Sequence, residues 1–148
     1  MKYSITQNGT PLDKKLYTLD EETKTFSSSE NNLVLDFGSE SGCTFSTGYD
    51  CTFKTGSYCT FKTGYDCTFN TGYDCTFNTG YGCTFKTGSD CVVVRRDVYE
   101  VIELKENVKI KLNEYSIKGY TKVEEEPTEM TIKEIEEKLN ITGLKIIK

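Results

Sequence analysis

This 148-residue sequence has no histidine, no tryptophan and only two prolines, Pro11 and Pro127. Without histidine the chain lacks the one side chain whose ordinary pKa lies near neutrality, which is also the commonest metal ligand. Acid–base chemistry would fall to scattered carboxylates, since the sequence offers neither a nucleophile–base pair nor a phosphate-binding glycine loop. Long apolar runs are missing too, and nothing approaches the ~20 residues that span a bilayer. The N-terminus, Met1-Lys2-Tyr3-Ser4, leads into polar residues without the apolar stretch of a signal peptide. These absences predict a non-enzymatic, non-secreted, cytoplasmic protein with no cofactor, no membrane partner and no small-molecule substrate.

A basic excess is absent as well. The net charge is −5, and residues 1–42 hold four lysines against seven carboxylates. Nucleic-acid backbones call for a basic face, so no nucleic-acid partner is expected. The short basic spot Arg95-Arg96 is followed at once by Asp97 and reads as a solvated pair. Hydrophobic residues make up only 36%, so the core cannot come from the usual aliphatic mass; ten Tyr and eight Phe have to supply part of it.

What is present is a repeat. From Cys43 the chain reads CTFSTGYD, CTFKTGSY, CTFKTGYD, CTFNTGYD, CTFNTGYG and CTFKTGSD, then Cys91-Val92-Val93. Cys43, Cys51, Cys59, Cys67, Cys75, Cys83 and Cys91 lie eight apart, and Phe45, Phe53, Phe61, Phe69, Phe77 and Phe85 each follow a cysteine by two. The phase extends outward: Leu35 and Phe37 stand one octad before Cys43 and Phe45, and Val93 and Val101 take the phenylalanine phase.

Cys-Thr-Phe-x alternates apolar and polar residues, the period of a half-buried strand. Thr-Gly-(Tyr/Ser)-(Asp/Tyr/Gly) then supplies a corner, with glycine free to take positive φ and aspartate able to bond nearby backbone. So short a strand cannot bury its inner face alone, and stacked rungs solve that problem. The sequence therefore predicts an all-β fold, a short parallel β-solenoid over residues 33–101. With two strands per 16-residue coil, alternate cysteines form two ladders. A three-sided, 24-residue coil is the other winding, but two inward residues per side would fill its wider interior poorly.

Each ladder has competing readings. A disulfide framework fits poorly with an odd cysteine count and no signal peptide. Zinc sites favour CxxC or Cys/His sets, which are absent. The cysteines are therefore expected to be buried core, forming a structural ladder with the phenylalanines. Outward Thr44, Thr52, Thr60, Thr68, Thr76 and Thr84 would make a threonine row as in ice-binding solenoids, but the second column (Ser46, Lys54, Lys62, Asn70, Asn78, Lys86) carries lysines. Asp50, Asp66, Asp74 and Asp90 lack the calcium-repeat pattern and read as corner caps. Tyr49, Tyr65, Tyr73 and Tyr81 line corners and form the candidate interaction surface.

The flanks read as caps. Residues 1–32 contain a β-hairpin, with Leu16–Leu19 and Lys24–Ser27 around a polar turn. Residues 102–126 give a β-strand extension and linker, with strands expected over Val98–Leu104, Val108–Leu112 and Tyr115–Val123. Residues 127–148 form a helix–strand tail, in which Thr131 and Glu134 match a capping box and Leu144–Ile147 reads as a strand.

The reiterated Cys-Thr-Phe-(Asn/Lys/Ser)-Thr-Gly octad, followed by Cys91-Val-Val-Val-Arg-Arg-Asp-Val-Tyr-Glu-Val-Ile-Glu-Leu104, resembles repeat proteins encoded by bacteriophages and related mobile elements. The likeness covers most of residues 1–123. It implies a phage setting, in the host cytosol or the virion, and carries no activity or functional residues. More distantly the octad is similar in logic to pentapeptide-repeat proteins, without their five-residue period or dense acidic face. The expected role is a structural rod whose partner is a protein, either its own copies or a host factor that it sequesters.

Overall fold

The structure, a computed structural model, describes residues 1–124. In chain order its elements are β1 (Ser4–Gln7), β2 (Thr10–Pro11), a 3-10 turn (Lys14–Leu16), β3 (Thr18–Asp20), β4 (Thr25–Ser27) and β5 (Leu33–Asp36). The octads supply β6 (Thr44–Ser46), β7 (Thr52–Lys54), β8 (Thr60–Lys62), β9 (Thr68–Asn70), β10 (Thr76–Thr79) and β11 (Thr84–Lys86). Then follow β12 (Cys91–Arg95), β13 (Glu100–Leu104), β14 (Ile110–Leu112) and β15 (Tyr120–Lys122). The predicted helix–strand tail lies outside the described residues.

Each octad makes one strand, and successive strands go to opposite sheets. One sheet runs β13-β12-β10-β8-β6-β4-β3 and the other β15-β14-β11-β9-β7-β5-β1-β2. Thr44 pairs with Thr60, and Thr60 with Thr76, all parallel and sixteen residues apart. Thr52, Thr68 and Thr84 do the same opposite. The molecule is a two-sided β-solenoid with a 16-residue coil, as the thin Cys/Phe interior requires.

The core is a herringbone. Phe45, Phe61 and Phe77 stack on one sheet with centroids 5.0 and 4.9 Å apart, both pairs 8° from parallel. Phe53, Phe69 and Phe85 stack on the other at 5.0 and 4.9 Å. Rings from the two columns meet edge to face, as Phe61 and Phe69 do at 5.1 Å and 73°. Each such pair adds about 0.5–1.5 kcal/mol to the area its rings remove from water.

At the corners the division of labour differs from the expectation. Glycine at the sixth octad position does not supply the positive φ. That conformation falls to the eighth position: Asp50, Tyr58, Asp66, Asp74 and Asp90 have φ between 55° and 59°, and Gly82 has 69°. Aspartate tolerates the left-handed region better than most side chains. The glycine is needed for close approach instead. A Cβ at Gly88 would sit 2.8 Å from the Tyr73 nitrogen and 2.9 Å from the Gly72 carbonyl carbon. Without side chains there, Gly72 and Gly88 form a direct N–H···O ladder of 3.1 and 3.0 Å back to Gly56.

The lead-in register also differs. Leu35 pairs with Phe53, eighteen residues on, so it takes the phenylalanine phase and not the cysteine phase. Two extra residues in the β5–β6 corner cause the offset. Phe37 is thereby turned into that corner, where it is buried, meets Phe45 edge-on at 5.0 Å and stacks on Tyr3 at 5.3 Å. The parallel stack reaches back to β4, where Phe26 pairs with Phe45.

Both ends close with antiparallel strands. At the N-terminal end β3 pairs with β4 as the predicted hairpin, while β1 covers β5. At the other end β13 covers β12, and β14 covers β11 with β15 outside it. Chain reversal at β13 undoes the octad phase there: Val101 is 66% exposed, and Ile102 and Leu104 point inward.

Candidate interaction surfaces

The seven cysteines and six repeat phenylalanines are all buried. The thiols do more than fill space. The Cys51 amide donates to Cys67 Sγ at 3.4 Å, and the Cys67 thiol faces the Gly48 carbonyl at 3.6 Å. The Cys67–Cys83 and Cys75–Cys91 steps repeat the amide contact at 3.4 and 3.3 Å. Cysteine therefore serves as a small apolar residue with weak donor and acceptor capacity, closing backbone valences where strand meets corner. All seven are free thiols. Hydrogen bonding between stacked thiols, then burial, pushes Cys43, Cys51 and Cys75 up, while hydrogen bonding from the neighbouring thiol holds Cys59, Cys83 and Cys91 down against the opposing push of burial.

Beneath the corners the second threonine of each octad is turned in. Thr55, Thr63, Thr71, Thr79 and Thr87 are buried, and their hydroxyls donate to the next glycine's carbonyl at 3.0–3.4 Å. The octad pattern alone assigns these threonines to the corner, without an inward role. Their signal was there in the sequence, as a polar residue that never varies at a corner.

The four singled-out tyrosines do not form one stripe. Tyr49, Tyr65 and Tyr81 stack along one edge with centroids 4.7 and 4.9 Å apart, within 4° of parallel. Tyr115 from the C-terminal cap closes the column edge-on at 5.5 Å. Tyr73 lies on the opposite edge, against Tyr58 at 5.2 Å. Asp50 and Asp66 stand beside the three-tyrosine column. Burial, then the charges of Asp50 and Glu114, hold Asp66 above the ordinary carboxylate range.

The outward threonines split in the same way. Thr44, Thr60 and Thr76 share the seven-stranded face, and Thr52, Thr68 and Thr84 the eight-stranded face. Their companion columns differ. Ser46, Lys62, Asn78 and Val94 follow one another on the first face, and Asp36, Lys54, Asn70 and Lys86 on the second.

Arg95 corrects the reading of Arg95-Arg96 as a solvated pair. Its side chain is fully buried and bidentate on Asp97, with Nε–Oδ1 and Nη2–Oδ2 both 2.8 Å. Nη2 also donates to the Glu114 carbonyl at 2.7 Å, and Nη1 to that of Ile117. Asp97 in turn accepts from the Ser116 amide at 3.1 Å. Hydrogen bonding to Arg95 holds the Asp97 carboxyl below its usual range, against a smaller upward push from burial. The group staples the loop at residues 113–119 across the last coil. Arg96 stays exposed, but it too is engaged, reaching the Asn78 carbonyl and side-chain oxygens at 2.8 and 2.7 Å.

Comparison with protein-family models, with curated proteins and with solved structures returned no match.

Proposed function

We propose that the chain is a non-enzymatic structural repeat protein, a short rod acting as a bacteriophage accessory or virion-associated component. A β-solenoid fits such a role at the level of fold. The observation that carries the proposal is the pairing of near-identical coils with two dedicated closures. Open solenoid ends invite edge-to-edge growth; here the ends are covered by reversed strands and, at one end, tied down through Arg95. A rod of fixed length suits a spacer.

The test is the solution mass of the reduced, full-length protein by light scattering on a sizing column. A discrete symmetric multimer supports a virion or fibre component. A 16.8 kDa monomer favours the second reading, a cytosolic protein that sequesters a host factor. The stacked Tyr49–Tyr65–Tyr81 edge favours that reading. Tyrosines offer large, rigid contact area at low entropic cost. Recovery of one stoichiometric host protein, lost on Tyr65→Ser, would establish it.

A further inference from the structure

The two edges of the coils are built from the same octad corner, yet their chemistry differs. Along one edge the seventh octad position is Tyr49, Tyr65 and Tyr81, stacked parallel at 4.7 and 4.9 Å, with Tyr115 closing the column. Along the other edge the same position alternates Ser57, Tyr73 and Ser89, and Tyr73 meets Tyr58 edge to face. Carboxylates flank the tyrosine column. Asp50 and Asp66 follow Tyr49 and Tyr65 in the chain, and Glu114 precedes Tyr115. At the next rung Gly82 replaces the aspartate, and an added Cβ there would lie 2.2 Å from Asp66 Oδ1 and 3.8 Å from Glu114 Oε2. Asp66 and Glu114 therefore border one gap. Among the described residues, no ion pair or side-chain hydrogen bond engages the carboxylates of Asp50, Asp66 or Glu114. Burial, then the charges of Asp50 and Glu114, raise Asp66, and Lys111 opposes them. On the opposite edge Glu40 is already paired with Lys24 at 3.2 Å. The corner amides are spent rung to rung, those of Asp50, Asp66 and Gly82 donating to the Tyr65, Tyr81 and Asn113 carbonyls. Recognition along the tyrosine edge therefore falls to side chains.

We propose that the tyrosine edge docks an extended, arginine-bearing segment of a protein partner. Such docking builds on the sequestering role and supplies the chemistry of the surface that is sequestered. Ionised carboxylates only accept hydrogen bonds, and the phenol oxygens add further acceptors, so the edge presents acceptors in a row. A guanidinium is their complement, with five donors, no acceptor and a fork that matches a carboxylate. The apolar flank of the ring column covers an arginine stem while its charged head reaches Asp50, Asp66 or Glu114. Alternate residues of an extended segment lie about 6.7 Å apart on one side, against rungs about 4.8 Å apart, so a few arginines span the edge. Nucleic acids and acidic lipid surfaces carry the same sign of charge as this edge and are repelled. A neutral sugar would stack on open aromatic faces, and both faces of Tyr65 are spent on Tyr49 and Tyr81. Unpaired carboxylates along an aromatic wall are the chemistry of an arginine-recognising surface.

The experiment titrates a fluorescent peptide of alternating arginine and serine with the full-length, reduced protein near neutral pH and reads anisotropy. The arginine peptide binds, its lysine counterpart binds at least about fivefold more weakly, and its glutamate counterpart does not bind. Asp66→Asn keeps the side chain's shape and its tolerance of positive φ, and it weakens binding about tenfold. Asp74→Asn, the same change at the same octad position on the opposite edge, leaves binding within about twofold. Tyr65→Leu, measured on protein that keeps the wild-type circular dichroism spectrum, weakens it about fivefold. Absence of binding by the arginine peptide overturns the proposal. So does an equal loss in Asp74→Asn, which would mean diffuse attraction, and so does equal binding of the lysine peptide. Unchanged affinity in Tyr65→Leu also overturns it, because charge alone would then be recognised. The host role fails separately. A host protein captured equally by the wild type and Asp66→Asn would keep that role and sink the arginine docking. A bound peptide with no captured host protein would sink the role and keep the docking chemistry.

Discussion

The coils between Cys43 and Asp90 and the C-terminal cap hold together in different ways. In the coils every rung repeats its neighbours. Phenylalanine stacks on phenylalanine, thiol bonds to backbone, and corner glycine bonds to corner glycine. Nothing in that arrangement marks a last rung. The cap has no repetition, and its central contact is one buried, charged group, Arg95 with Asp97 and two loop carbonyls. A translationally repeating core specifies stacking but cannot specify stopping. Termination requires residues that break the repeat, and a buried ion pair does so with a geometry that no other rung can reproduce.

Four measurements would break or sharpen this contrast. The largest effect is expected from Phe69→Asp in the middle of the stack. It removes contacts to Phe53, Phe61, Phe77 and Phe85 and buries a charge, so the loss exceeds about 4–5 kcal/mol. The protein should show no cooperative melt by circular dichroism; a soluble, cooperatively melting variant would refute the core assignment. Next comes Arg95→Met, which strands Asp97 and frees the loop. We expect a loss of about 3–5 kcal/mol in urea denaturation, with Arg95→Lys recovering only part of it, because an ammonium cannot reproduce the bidentate fork. A loss below about 1 kcal/mol would show that the cap is held elsewhere.

Gly88→Ala tests close approach in the coils and should cost about 1–3 kcal/mol, since its new Cβ meets backbone that cannot move freely. A neutral result would return the glycine to an ordinary turn role. The smallest effect is one of pH. Asp97 has a depressed folded pKa, so its stabilising contribution is present above the unfolded carboxylate pKa of ~3.9 and is lost as pH falls through the lower folded value. Stability should therefore decline below about pH 4, and with a shallower acid limb in Arg95→Met than in the wild type. Equal limbs would detach Asp97 from the cap's energetics.

The coil was legible from sequence because it obeys local rules. Alternation within Cys-Thr-Phe-x set the inward residues, and the scarcity of inward volume chose two sides over three. The N-terminal hairpin was legible for the same reason, with a polar turn between two short apolar segments. What escaped depends on contacts across space. That Arg95 is buried follows from where the loop at 113–119 comes to rest, and a sequence pair of arginines beside an aspartate looks the same in solvent. The two extra residues in the β5–β6 corner moved Leu35 by one inward position, which periodicity alone could not detect. The tyrosine positions were identified, but their division between two edges follows from the half-coil length of each octad. The same division gave the two faces their different columns.

An octad is half a coil, and that gives copy number a geometric meaning. Adding one octad would lengthen the rod by only about 2.4 Å, but would carry everything after it half a turn around the axis. Both closures would still find the neighbours they need, because each touches only its own end. At present the β1–β2 pair and the β14–β15 pair belong to the same sheet. An odd change in copy number would set them on opposite sides, and an even change would restore their alignment. Tandem duplication in this chain therefore acts as a two-position rotary setting: odd steps change which way one end faces relative to the other, and even steps change only the distance between them.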